Sequence, residues 1–163
     1  MTERQIRIFG DPVLKTASAP IDTIDDGIRG LVDDLLDSVR PPGRAGVAAS
    51  QIGVNLRAFS YNIDGDIGYI LNPVIVETGG DKEAIDEGCL SVPGLWYPTP
   101  RYPFVKVTGT DLDGNPVELS GTGLLAQALQ HEVDHLDGLL YLDRLDKDNR
   151  RAAMNEVRES SWF

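Results

Sequence analysis

Both histidines of the chain, His131 and His135, stand four residues apart in "QHEVDHLDG" (130–138), with Glu132 directly after the first. On a helix, residues i and i+4 share a face, so two imidazoles at this spacing offer two nitrogen ligands to one metal ion. Glu132 points away from both rings, yet its carboxylate can reach a water at the open position of such a metal. A divalent cation with a carboxylate beside its water is the equipment of metal-assisted hydrolysis. The competing reading is a pair of surface histidines on a polar helix. Against it, "GLLAQAL" precedes them and "LDGLLYL" follows, so the helix runs through apolar surroundings. Two imidazoles and a carboxylate buried there without partners would be costly.

Two histidines require a third protein ligand, with one position left for water. No histidine remains, and the one soft donor in the chain is Cys89, in "EGCLS" (87–91). Taken alone, a lone cysteine reads as a small buried hydrophobe. Beside a two-histidine site short of a ligand, it reads as a thiolate that lowers the net charge of a bound M2+.

The histidines need a rigid carrier, and "GLLAQALQHEVDHL" (123–136) reads as a buried helix. An amphipathic helix is expected over Thr23–Arg40, with Ile28, Leu31, Leu35 and Val39 at helical spacing, Thr23 or Asp25 as its cap, and "PPG" (41–43) as its end. "RAGVAASQIG" (44–53) is rich in small residues that permit close backbone approach. "NLRAFSYNI" (55–63) and "IGYILNPVIVET" (67–78) read as strands, the second apolar enough to be central. "EGCLSVPGLWYPTPR" (87–101) reads as a short strand followed by a proline-rich loop. "FVKVTGTDLDGNPVELS" (104–120) reads as a hairpin turning at "DGNP", and "DRLDKDNRRAAMNEVRES" (143–160) as a polar terminal helix. Strands clustered around one buried helix predict an α+β fold: antiparallel β-sheets around a central metal-binding helix, with N-terminal and C-terminal helices.

The chain of 163 residues, with 41% hydrophobic and 25% charged residues, is expected to form a single domain, 1–163. Its apolar runs fall short of the roughly 18–20 residues of a membrane span. The opening "MTERQIRIFGDPVL" lacks the apolar core of a secretion signal, and one cysteine suits a reducing cytoplasm. A net charge of -11 argues against broad binding to phosphate backbones, and no specific nucleic-acid recognition is expected.

Three stretches, "GVAASQIG" (46–53), "EGCLS" (87–91) and "QHEVDH" (130–135), occur in the order and approximate spacing of peptide deformylases, and "IRIFGDPVLKTASAPI" resembles that family's start. The resemblance spans most of the chain. It implies a hydrolase that removes the N-formyl group from the initiator methionine of new polypeptides, releasing formate, with nascent chains as substrate and transient contact with the ribosome. It implies ferrous iron as the native metal, with zinc, nickel or cobalt able to substitute. By match to the family's motifs, Cys89, His131 and His135 are the metal ligands and Glu132 the general acid/base. The Gln51 side-chain amide and the Leu90 backbone N–H are the oxyanion donors. Gly46 would let substrate backbone pair with an exposed strand edge. Val47, Leu124, Ala128 and the first turn of the histidine helix are candidates for the methionine pocket.

Some positions depart from the family pattern. Arg44 stands where a glycine is common, and would be strained if that site required a positive φ. Gln127 replaces an apolar residue beside the pocket, and Trp96 with Tyr97 could form an aromatic wall where some members place an arginine. Asp134 and Arg101 occupy positions commonly acid and base, and are expected to pair across the two ligand-bearing segments. Two other functions share His-Glu-x-x-His: an endopeptidase indifferent to the formyl group, and a noncatalytic metal-binding module.

Overall fold

In the computed structural model, which describes residues 2–163, the chain forms seven strands and three α-helices. In chain order these are α1 (Asp26–Val39), β1 (Gly46–Ala48), β2 (Ala58–Ile63), β3 (Asp66–Gly79), β4 (Glu83–Cys89), β5 (Val92–Arg101), β6 (Phe104–Thr110), β7 (Pro116–Thr122), α2 (Gly123–Leu136) and α3 (Lys147–Glu159). Five strands make one antiparallel sheet in the order β1-β2-β3-β6-β7, and β4 with β5 makes a separate antiparallel ribbon. The expected α+β architecture is present. Among the described residues, no helix is long and apolar enough to cross a membrane.

The large sheet lies between α1 and α2 because successive side chains of a strand point to opposite faces. Val47, Ala58 and Leu71 pack with Ile28, Leu31, Val32, Leu35 and Val39 of α1. Their neighbours Ala48, Phe59 and Ile70 pack with Ala126, Leu129, Val133 and Leu136 of α2. Asp25 caps α1 by accepting a bond from the Ile28 N–H at 3.0 Å, so the helix begins after Asp25 and not at Thr23. The Asp111–Asn115 turn of the β6–β7 hairpin is closed by Asp111 Oδ1, which accepts from the N–H groups of Asp113 and Asn115.

β3 is the middle strand, as expected, but only its first half is enclosed. At Asn72 (φ 51) the register with β6 shifts, and Val74 and Val76 beyond it are exposed. The Asn72 side chain both donates to and accepts from the backbone of Ile21, at 2.9 Å each, which anchors the bend.

The stretch expected to be a proline-rich loop is strand β5. A proline lacks the N–H that a ladder needs, but β5 has a partner on one side only, and an edge tolerates this. Leu95, Tyr97, Thr99 and Arg101 point inward along it and are buried, while Trp96 between them is exposed. Leu95 and Tyr97 join Leu140, Tyr141, Leu142 and Leu145 in a third cluster, closed by Ala153 and Val157 of α3. The polar terminal helix is shorter than expected. Tyr141–Arg144 forms a 3-10 turn, and Asp146 then caps α3 through the Asn149 N–H at 2.8 Å.

Candidate active site and metal centre

α2 spans the residues expected of it, and its second half is enclosed on nearly all sides. His135 is fully buried and His131 partly so. Cys89 ends β4, just after a register shift against β5 between Glu87 and Cys89. Its Sγ stands 3.4 Å from His135 Nε2, which stands 3.1 Å from His131 Nε2, and all three ligand atoms lie within 4.8 Å of one another. Ligands at typical metal–N and metal–S bond lengths around a tetrahedral ion would be separated by roughly 3.3 Å (N to N) and 3.6 Å (N to S). The triangle therefore fits a divalent cation, and its soft sulfur with two imidazoles suits zinc, iron, nickel or cobalt better than magnesium or calcium.

Each ligand segment is held from behind. His131 Nδ1 bonds Glu87 Oε2 at 2.7 Å, which leaves Nε2 facing the other ligand atoms. Arg101 binds Glu87 through two parallel bonds of 2.9 and 2.6 Å, and its third nitrogen reaches Asp134 Oδ2 at 2.7 Å. Arg144 closes on Asp134 at 2.8 and 3.2 Å. The expected Asp134–Arg101 pair is present, as part of a larger chain that ties β4 and β5 to α2. Burial disfavours ionisation of Glu87, but bonds from Arg101 and His131 outweigh it and hold its pKa at about 2. Tyr141 adds its ring, stacked against His131 at 6.4 Å. Glu87, Arg144 and Tyr141 were not identified from the sequence. For Glu87 the signal was its place two residues before Cys89, on the same strand.

Arg101→Ala would leave two carboxylates buried without their shared cation. The expected loss is about 3–5 kcal/mol of folding stability. Chemical denaturation of metal-free protein checks it, and a loss below about 1 kcal/mol would mean that water replaces the guanidinium.

Glu132 is buried, and among the described residues its Oε1 has no hydrogen-bond partner. Burial pushes its pKa up to about 7. His131 and Arg101 oppose that rise, whereas Glu87 and Asp134 add to it. Room for this carboxylate depends on Gly46, since a Cβ there would meet Glu132 Oε2 at 2.6 Å. For His131, burial works against protonation, but Cys89, Glu132 and Glu87 outweigh it and raise its pKa well above the usual value. His135 is pushed well below by burial and by the charges of His131 and Arg101.

Gln51 lies on a 3-10 turn, Ala49–Ile52, directly after β1. Its Oε1 accepts from the Ala48 N–H at 3.0 Å, and its amide nitrogen faces Ser91 Oγ at 3.2 Å and Cys89 Sγ at 3.7 Å. A cleft of about 570 Å³ opens over these groups, lined by Gly46, Gln51, Cys89, Leu90, His131 and Glu132. Leu124 and Ala128 of α2 line it. Val47 does not: strand alternation turns it to the α1 face, where it is fully buried. Of the expected aromatic wall, Trp96 faces the cleft, whereas Tyr97 points inward and bonds Glu156 of α3. Gln127 lines the cleft and donates to the Asp86 carbonyl at 3.0 Å. Arg44 is free of left-handed strain, and its guanidinium rests on the Ser38 carbonyl at 2.6 Å with Glu3 at 3.7 Å.

Comparison with known proteins gives one answer. The family model described as polypeptide deformylase matches residues 3–151. A peptide deformylase of Parafrankia sp. is 47% identical over 163 residues, covering 99% of this chain and 89% of that protein. Peptide deformylase 1 of Corynebacterium efficiens is 44% identical, covering 100% and 99%. The crystal structure of a peptide deformylase from Legionella pneumophila superposes with a TM-score of 0.90 at 38% identity, covering 97% of this chain and 95% of that one. That of the Thermus thermophilus enzyme gives 0.87 at 36% identity, with 97% and 95% covered.

Proposed function

The chain belongs to the peptide deformylase family, and from that premise we propose how its own residues carry out the reaction. The activity is that of the family: a metal-dependent hydrolase that removes the N-formyl group from new polypeptides and releases formate. In this reading residues 1–163 act as one catalytic domain. Cys89, His131 and His135 hold the metal. Bound there, a divalent cation would polarise the formyl carbonyl and make a water acidic enough to attack it.

Glu132 accepts the proton of the attacking water at its unpartnered Oε1 and returns it to the departing amine. The Gln51 amide and the Leu90 N–H receive the negative charge that develops on the former carbonyl oxygen. β1 is an edge strand with β2 on one side only, so substrate backbone can pair along its free side at Gly46. Leu124 and Ala128 take the methionine side chain, with Gln127 making one side of that slot polar. The observation that carries the assignment is the meeting of three ligand atoms beneath a cleft that Cys89, His131 and Glu132 line, with a Glu132 oxygen that has no partner among the described residues. Formate release from formyl-Met-Ala-Ser, with the unformylated peptide as control, tests it. Cleavage of internal peptide bonds without formate release would overturn it in favour of an endopeptidase.

The metal is proposed to be ferrous iron, the site of action the cytoplasm, and contact with the ribosome transient. A thiolate ligand beside a redox-active ion is open to attack by oxygen, and with Cys89 the only cysteine no second thiol can trap a sulfenic acid. Iron-loaded protein should lose activity in air within hours, while nickel-loaded protein keeps it. Equal lifetimes of the two forms would count against iron, and mass spectrometry of the Cys89 peptide would separate sulfur oxidation from loss of metal.

A further inference from the structure

We propose that Trp96 determines specificity for the residues that follow methionine, by offering an apolar face to a large, preferably aromatic, side chain at one of the next two positions. The inference rests on the site assignment above. Among the described residues few large hydrophobic side chains are exposed, and two of them, Trp96 at 69% and Leu124 at 47%, line the catalytic cleft. They stand on different walls. Leu124 is on α2, Trp96 is on β5, and Gln127 joins the walls through the Asp86 carbonyl.

The indole is seated by the fold. It lies so close over Gly88 that a Cβ there would meet three of its ring atoms at 2.7–2.9 Å. Alternation along β5 buries Leu95 and Tyr97 on either side and leaves the ring no inward position. Gly88 directly precedes the ligand Cys89, so the ring lies about one residue from the metal centre. An extended substrate advances roughly 3.3 Å per residue. With the formyl group at the ligands and methionine against α2, the following one or two residues pass the ribbon. Consecutive side chains of an extended chain alternate in direction, which takes at least one of them away from the methionine wall. Pro93 and Gly94 extend the same wall without charge. Arg44, the cation of the cleft lining outside the metal centre, is already engaged by Ser38 and Glu3.

The test compares kcat/KM for formyl-Met-Phe-Ser, formyl-Met-Ala-Phe, formyl-Met-Arg-Ser and formyl-Met-Ala-Ser. At least one phenylalanine peptide should exceed formyl-Met-Ala-Ser by about threefold or more, the scale of a single aromatic contact. In Trp96→Ala that ratio should fall to about one, and Trp96→Phe should keep most of it. A merely structural tryptophan would lower all peptides alike and leave the ratio intact, which would overturn the proposal. So would a gain carried by the arginine peptide alone, since the carboxylate of Asp86 and not the ring would then be selecting. Binding of the same peptides, followed by indole emission, reads the preference independently of turnover. Inactivity toward every formyl peptide would strike at the site assignment, and the binding preference would then decide this proposal.

Discussion

Glu132→Gln should bind a full equivalent of metal and hydrolyse formyl-Met-Ala-Ser about 10²–10⁴-fold more slowly. Glutamine has the size of glutamate, so it fits the space that Gly46 leaves open, and the three ligand atoms are untouched. What is lost is the ability to take a proton at Oε1 and give it back. The variant should fold at least as firmly as the parent, because a buried acid with an unpartnered oxygen is replaced by a neutral group. Metal content by atomic spectroscopy, turnover by formate release and stability by thermal melting check the three parts. Turnover within about threefold of the parent would remove Glu132 from the mechanism.

Cys89→Ala should lose its metal. Loss of a residue that only supports a ligand commonly costs 10–100-fold in affinity, so loss of a ligand should cost at least about 100-fold. Two ring nitrogens 3.1 Å apart would remain, and among the described residues Cys89 is the one side chain grouped with them as a metal ligand. Activity should fall in step with bound metal and recover only in part when excess metal is supplied. Glu87 and Arg101 are unaltered, so the metal-free variant should keep the fold of the metal-free parent. Full metal content in Cys89→Ala would refute the ligand set.

Local pattern accounts for the correctly read parts of the fold. α2 could be read to the residue because its apolar content, its length and the His131/His135 spacing all obey one helical period. α1 was off only at its start, where two acceptors, Thr23 and Asp25, competed to be the cap. β5 was missed because local rules count prolines against a strand. Its one-sided pairing, which makes them harmless, is a fact of the whole sheet. The apolar run of β3 suggested burial throughout, but the bend at Asn72 turns its second half to solvent.

The candidate site was legible in the sequence itself: two histidines at helical spacing, a carboxylate beside the first and a single cysteine are the residues that the structure brings together. Tertiary structure decided which side chains meet. The Cys89 sulfur meets His135 across two segments far apart in the chain, which Arg101 clamps together through Glu87 and Asp134. Register sends Val47 into the core and leaves Gly46 beside Glu132, and it buries Tyr97 while seating Trp96 over Gly88. The physical reason is one of range. Helical spacing and capping act over three or four residues and are written locally, whereas the facing of a strand and the partner of a buried charge depend on contacts between segments far apart in the chain.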